Sequence, residues 1–578
     1  MRKIDSYKFI YNHSSHLYLF TILGFLSYPT DAIAACDGTT GNVNCSGTIT
    51  SRIGSGSNDS ITTLNILEGA LVNTQGVSIS MGSGTASTQN VLNVNGTVQN
   101  AGNGGGPYNT GPNVVEFNSY TTVNIGTTGR VVQTGGANNG EAFNPIGGGN
   151  IINNYGLIST ATSAAIWFEG TNRTTSGLGN VINNYGTITA GSSGNGSIVG
   201  NSSTGSITFI NQSGSTINGN ISLGSSGSLR NVVSLYNGSN VNGNISGGGN
   251  AATLNLLGDS GSDTLSGTVT GFGSLNKGGQ GVWTVGSPSP LSNLSSNLSV
   301  NVNGGTLILA GNETSSRTKA AINSGGTLQL GNGGTAGWID SVLSNNGTLS
   351  FNRSDSNTFS GIISGSGSIS QIGSGTTILS GDNTFTGRTL ISSGTLQLGG
   401  GDNTGSINNS SGITNNGKLN IVHPNAITIG QIIDGTGWIE QAGVGYTTFS
   451  GNNTYTGMTR ISQGTLALSG DGSISASSGV HNNSVFDVSG TTSTTPSIQA
   501  LDGSGSTVLG NNTLVLTNAN SGFGNVYSGV MSGAGGLTIN GGTQTLTGNN
   551  SYTGDTTVAA NAGLGLQGKI ASALNNAG

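Results

Sequence analysis

The stretch Gly258-Asp259-Ser260-Gly261-Ser262 has the residue types of a serine nucleophile and its backbone oxyanion hole. Such a serine needs a histidine base oriented by an aspartate, and in proteases with this local pattern both precede it. Here His13 and His16 fall in the first segment of the chain, and His423 and His481 follow the serine. Without an imidazole the hydroxyl stays protonated at neutral pH, so the motif reads as a turn. Continued to Asp263-Thr264-Leu265, the stretch also has the look of one calcium-binding nonapeptide. Calcium takes six or more oxygens, normally from successive repeats, and one copy supplies too few. Glycosidases need two facing carboxylates. Glu116, Glu141 and Glu169 stand singly in the sequence, with no pair on one strand, although a stacked fold can bring distant residues together. Trp167-Phe168, Trp283, Trp338 and Trp438 are aromatic groups that would stack on a sugar if exposed, and that otherwise pack on the core. The expectation is a non-enzyme with no catalytic, cofactor or metal site.

The elements that would position such residues are short strands. The 578 residues include 105 glycines and 8 prolines, and only 6% are charged. Chains of this length exceed a single compact core, while low charge argues against disorder. A collagen reading fails for want of a three-residue glycine period. The net charge of −6 offers no footprint for nucleic acid.

Repeats decide the architecture. Gly305-Thr306-Leu307-Ile308-Leu309 returns as Gly326-Thr327-Leu328-Gln329-Leu330 and as Gly347-Thr348-Leu349-Ser350-Phe351, then from Gly394, Gly417 and Gly464. Ile152-Asn153-Asn154-Tyr155-Gly156 returns as Ile182-Asn183-Asn184-Tyr185-Gly186, and Ile217-Asn218-Gly219-Asn220-Ile221 as Val241-Asn242-Gly243-Asn244-Ile245. A glycine at a bend followed by apolar/polar alternation is one coil of a parallel β-helix, which buries its apolar face only when coils stack. The fold class is therefore all-β, a long β-solenoid of about 24 coils with a height on the order of 100 Å.

Residues 1–34 read as a secretory signal peptide: Arg2, Lys3 and Lys8, an apolar run from Leu17 to Leu26, and small residues for cleavage between Ala34 and Ala35. The run is too short to span a bilayer. Ile33-Ala34-Ala35-Cys36 also resembles a lipoprotein box, which leaves lipidation of Cys36 open. Otherwise Cys36 and Cys45, two nearby cysteines in an exported chain, are expected to form a disulfide. Two thiols with no adjacent histidine make a poor zinc site.

Three cassettes carry a family resemblance: Asn383-Thr384-Phe385-Thr386-Gly387, Asn453-Thr454-Tyr455-Thr456-Gly457 and Asn550-Ser551-Tyr552-Thr553-Gly554. Each follows a Ser/Thr-Gly pair, with Gly361–Gly365, Gln431–Gly435 and Gly529–Gly533 upstream. They resemble the autotransporter-associated β-strand repeat of Gram-negative passenger domains (type V secretion). The resemblance covers about residues 265–565; residues 35–264 fit the architecture without that signature. It implies a right-handed parallel β-helix, exported through an outer-membrane β-barrel translocator to the cell surface or the medium. It further implies an adhesin that meets a host or bacterial surface receptor, with a structural spacer or coat and a β-helical polysaccharide-active enzyme as alternatives. The expected organisation is 1–34 leader, 35–264 irregular solenoid and 265–578 repeat region. No barrel-like alternation is read before Gly578, so the translocator is expected outside this chain.

Overall fold

The computed structural model describes residues 35–576, except 57–59, 103–112, 136–139, 170–177, 192–195, 201–204, 225–228, 287–297, 312–318, 340 and 522–523. The leader 1–34, with Ala34, lies outside the described residues. Among the described residues there is no helix; about 49% are strand, in stacked parallel coils that make a β-solenoid of about 23 turns.

A 15-stranded sheet runs along one side from Ala35–Cys36 to Ile363–Ser364. Its first pairing, Ala35–Cys36 against Gly41–Ser46, is antiparallel, and every later pairing is parallel. Two eight-stranded sheets accompany it, from Thr48–Ile49 to Asn240–Asn242 and from Ile79–Met81 to Val269–Thr270. Further sheets take over in staggered fashion. A nine-stranded sheet runs from Ser262–Leu265 to Ile433–Asp434, and a six-stranded one from Ile427–Ile429 to Met531–Gly533.

The Gly-Thr-Leu units explain the stacking. Leu307, Leu328 and Leu349 occupy the same register on consecutive coils and are fully buried, as are Leu309, Leu330 and Phe351. Each buried side chain of this kind contributes about 1.5–3 kcal/mol, which one coil alone cannot collect. Between them Ile308 and Gln329 are only partly buried, as are Thr306, Thr327 and Thr348 just before, while Ser350 is buried. The glycines are there because coils meet backbone to backbone at the bend: a Cβ on Gly367 would lie 2.3 Å from the Gly347 carbonyl oxygen, and one on Gly387 2.2 Å from that of Gly367. One apolar core threads the whole stack.

Candidate functional site

The cassettes occupy a definite place in this scaffold: each lies on the end of a sheet. Ile363–Ser364 closes the 15-stranded sheet, Ile433–Asp434 the nine-stranded sheet and Met531–Gly533 the six-stranded sheet. Above these strands the chain leaves the ladder while its backbone still bonds downward. Thr384 N and Phe385 N donate to Ile363 O (2.9 and 3.2 Å), and Thr386 N to Gly365 O (2.9 Å). Thr454, Tyr455 and Thr456 do the same to Ile433 and Gly435, and Ser551 and Thr553 to Met531 and Gly533.

The asparagine that opens each cassette closes the gap. Asn383 Oδ1 accepts from Ile363 N (3.0 Å), while its Nδ2 donates to Gly381 O (2.7 Å) and to Ser406 O on the coil above (3.1 Å). Asn453 accepts from Ile433 N (2.9 Å) and donates to Gly451 O (2.9 Å). Asn550 accepts from Met531 N (2.9 Å) and donates to Gly548 O and Lys569 O (3.1 and 3.3 Å). All three side chains are buried. A carboxamide offers both donors and acceptors, which is what a backbone N–H and a C=O stranded at a sheet end require.

The aromatic residue of each cassette, Phe385, Tyr455 or Tyr552, enters the core. Tyr455 Oη is 2.6 Å from Thr459 Oγ1, which is 2.9 Å from Ser477 Oγ; Tyr552, Thr556 and Ser572 repeat the chain at 2.6 and 2.7 Å. In the first cassette Phe385 has no hydroxyl, and Thr389 and Ser410 bond each other at 3.0 Å. Burial pushes the Tyr455 and Tyr552 phenols above their ordinary range, against the bonds from the threonines and serines. Gly387, Gly457 and Gly554 each sit against the backbone of the coil below, where a Cβ would meet main-chain atoms at 2.1–2.6 Å. A second buried network accompanies the first two cassettes. Gln371 Nε2 donates to Gly373 O (2.8 Å) and its Oε1 accepts from Thr377 Oγ1 (2.7 Å), and Gln441 and Thr447 repeat this at 2.7 and 2.6 Å.

The first half solves its bends with columns of like residues. Asn93 donates to Asn65, Asn124 to Asn93, Asn153 to Asn124 and Asn183 to Asn153, all at 2.8–2.9 Å on the outer face. One position further along, Asn154 donates to Asn184 (2.8 Å) and Asn184 to Asn211 (2.7 Å), buried inside. Next, Tyr155 and Tyr185 stack with ring centroids 4.4 Å apart and planes 6° from parallel. The motif Ile-Asn-Asn-Tyr-Gly is thus read residue by residue as core, outer ladder, inner ladder, outer stack and bend. Sequence reasoning found the repeat and missed the stack; its signal was the exposed-type residue recurring one step after an asparagine pair.

The catalytic candidates are placed apart. Ser260 is exposed in a turn whose shape Gly258 (φ 122°) and Gly261 (φ 83°) set. Asp263 faces neighbouring backbone and side chain, accepting from Gly238 N (2.5 Å) and Asn237 Nδ2 (3.2 Å). His423 is buried coils away, with Nε2 3.4 Å from Gly405 O. His481 Nδ1 lies 2.9 Å from Asp502 Oδ1, and its Nε2 is occupied by the Asn483 carboxamide at 2.8 Å.

Two of the carboxylates that stand singly in the sequence lie on adjacent coils linked through one asparagine. Asn113 bridges adjacent coils, donating to Glu116 Oε1 (3.0 Å) and accepting from the Glu141 backbone N–H (3.1 Å). Glu141 is 3% exposed; burial pushes its carboxyl up to about 7, and the charges of Glu169 and Glu116 push the same way. The strand register sets Asn144, not Glu141, beside Glu116, and Glu169 N donates to Pro145 O, so the three glutamates occupy different register positions.

Of the aromatics, Phe168 and Trp283 are core residues, the Trp283 indole donating to Leu257 O (2.9 Å). Trp338 packs on Phe351 and Phe359, and Trp438 lies under the Lys418 ammonium, 4.5 Å from the ring centroid. At the other end, Cys36 and Cys45 are joined across the antiparallel pair, Ala35 lying beside Ser46.

An elongated parallel β-helix with sheet ends clamped by recurring Asn-Thr-aromatic corners defines a repeat scaffold. The passenger-associated-transport-repeat family model matches residues 369–398, 439–468 and 541–560, and each match contains one cassette. These repeats on a β-solenoid fit an autotransporter passenger domain. The family implies a linked outer-membrane translocator and export to the cell surface or extracellular space. No curated protein and no solved structure matches the chain.

Proposed function

We propose that this chain is a surface-displayed passenger that acts as a non-enzymatic adhesin. The observation that carries the reading is the threefold recurrence of the clamped corner within the matched repeats. A solenoid whose sheet ends at Ile363–Ser364, Ile433–Asp434 and Met531–Gly533 are clamped is a stiff stalk, suited to presenting outer columns to a receptor on host or bacterial cells. Residues 1–34 act as the leader, cut between Ala34 and Ala35. Residues 35–264 form the presenting region and 265–578 the transport-repeat region. The Cys36–Cys45 bridge closes the first coil in the oxidising compartment. The acidic balance speaks for partners other than nucleic acid.

The test displays the chain on non-adherent cells, fused to an autotransporter barrel, and scores attachment to host cells and to sister cells. Attachment above that of the barrel alone supports the adhesin; none in either assay leaves the spacer or coat. One observation favours a second reading, a polysaccharide-active enzyme: Glu141 is a buried carboxyl raised to about 7, and Asn113 links its backbone to the Glu116 carboxylate on the adjacent coil. Release of reducing ends from polysaccharide, abolished in Glu141→Gln, would establish it.

A further inference from the structure

On the outer face of the first region two columns run side by side along the rod. One is the asparagine ladder through Asn65, Asn93, Asn124, Asn153 and Asn183. The other lies two residues further on, where backbone bonds stack Asn95 over Leu67, Gly126 over Asn95, Tyr155 over Gly126 and Tyr185 over Tyr155. In this second column the side chain is missing at one step, Gly126. A Cβ there would lie 2.1 Å from Asn95 Oδ1, so the Asn95 carboxamide reaches toward the vacant step from below. Above it is the face of Tyr155 that Tyr185 does not cover. The result is an open cleft of about 240 Å³ between Leu67 and Tyr155, walled by the ladder and lined by no charged residue.

Two features give the cleft its chemistry. The Tyr155–Tyr185 pair shows that one coil step is a ring-stacking distance, 4.4 Å, so a flat ring entering the Gly126 step lies in stacking contact beneath Tyr155. Tyr155 is 47% exposed, which leaves its outer face and edge available. Each ladder carboxamide has two N–H groups and two oxygen lone pairs. Asn93 and Asn124 each spend one donor and one acceptor on the ladder, so a donor and an acceptor per rung remain for a ligand, repeating with the coil. An aromatic platform beside paired donors and acceptors, without charge, matches the apolar face and vicinal hydroxyls of a neutral sugar. A protein partner would be drawn by a broader apolar patch than Leu67 and Tyr155 provide.

We infer that the cleft between Leu67 and Tyr155 binds a neutral linear glycan, one ring stacked on Tyr155 at the Gly126 step and its hydroxyls held by Asn93, Asn95 and Asn124. This deepens the adhesin reading and rests on it only for its biological use. The test titrates the purified chain with neutral linear hexose and N-acetylhexosamine tetrasaccharides by calorimetry and saturation-transfer NMR. The expected result is saturable binding of at least one tetrasaccharide. It weakens at least tenfold in Tyr155→Ala and in Gly126→Tyr, which fills the step, and is unchanged in Trp438→Ala, with circular dichroism and melting confirming the fold of each variant. No binding across the panel overturns the inference, as does binding that both cleft variants retain. Running the display assay on the same variants separates the two claims. Attachment that survives Tyr155→Ala, together with no saccharide binding by the unmodified chain, refutes the cleft and keeps the adhesin. Saccharide binding without attachment keeps the cleft and refutes the adhesin.

Discussion

The two halves of the rod stack coils of the same kind and differ in which contacts recur, although Asn231 clamps main chain in the first and an asparagine ladder runs through Asn276 and Asn301 in the second. The Ile-Asn-Asn-Tyr-Gly coils of the first region put like on like: asparagine on asparagine outside and inside, tyrosine on tyrosine at the turn. The cassette coils of the second region join unlike groups. Asn453 bonds main chain on two coils, Gln441 bonds Gly443 and Thr447, and Tyr455 passes through Thr459 to Ser477. A like-on-like column tolerates a change of coil length, since each rung needs only its neighbour, and along the ladder the first region's coils indeed vary from 21 residues (Asn44 to Asn65) to 31 (Asn93 to Asn124). Between the first two cassettes the unlike network keeps a constant spacing, while the third, Asn550, follows Asn453 by 97 residues. Asn383 and Asn453 are 70 residues apart, and so are Gln371 and Gln441, Thr377 and Thr447, and Asn346 and Asn416.

The sharpest way to break this comparison is at the clamp. Asn453→Ala strands the Ile433 N–H in the core, at about 1–3 kcal/mol, and removes one of two bonds to Gly451 O, which keeps the Ser473 N–H, at about 1 kcal/mol. A loss of about 3 kcal/mol is expected, seen as collapse of amide-exchange protection across residues 433–480 while the first region keeps its protection. Uniform loss along the whole rod would show that the clamp has no local role.

The first region holds unlike contacts of its own, such as Asn231 between Ile207 N and the Gly224 and Gly247 carbonyls, and pH tests the one at Glu141. The Glu141 carboxyl, raised to about 7 from its usual 4.5, keeps its proton in the fold where the unfolded chain has lost it. Its stabilisation is complete below about 4.5 and is lost as pH rises through 7. The shift corresponds to roughly 3 kcal/mol. Amide protection around Phe143–Pro145 should fall over that window, and Glu141→Gln should abolish the dependence.

A smaller effect separates the cassettes from one another. Tyr455→Phe removes one hydroxyl but leaves Thr459 and Ser477 bonded to each other, the state already present at Thr389 and Ser410 beside Phe385. A loss of about 1 kcal/mol is expected, measured as a shift in urea midpoint. The reverse change, Phe385→Tyr, should be neutral or stabilising, because its partners are in place.

This contrast also explains what was legible in the sequence. Unlike networks demand particular residues in a particular order, so the cassettes at Asn383, Asn453 and Asn550 stand out, and the strand alternation around Leu307, Leu328 and Leu349 reveals the solenoid. What a cassette does was hidden, because Ile363 N, Gly381 O and Ser406 O are main-chain groups on three coils. The link from Asn113 to both Glu116 and the Glu141 backbone was hidden for a related reason: a long stretch of sequence separates Asn113 from Glu141, and only the stacking of coils brings them side by side. The tyrosine stack was visible as a repeat but not as a surface, since alternation alone does not say which side of a turn faces water.

The weakest expected effect is the most telling about the ladder. Asn153 gives one hydrogen bond to Asn124 and receives one from Asn183, both 2.8 Å long and both on the outer face. Asn153→Ala breaks both, yet the carboxamides left behind turn to water, which the buried partners of Asn453 cannot do. Net hydrogen bonds are worth about 0.5–1.5 kcal/mol each when both ends are counted, and rehydration returns most of that here. The expected loss is about 0.5 kcal/mol, a small shift in urea midpoint with unchanged slope. If Asn153→Ala costs as much as Asn453→Ala, the ladder is a structural spine equal to the clamps, and its spare donors and acceptors are not free to serve a ligand. A near-silent substitution means that the first region carries its outer asparagines for what they face and not for what they hold.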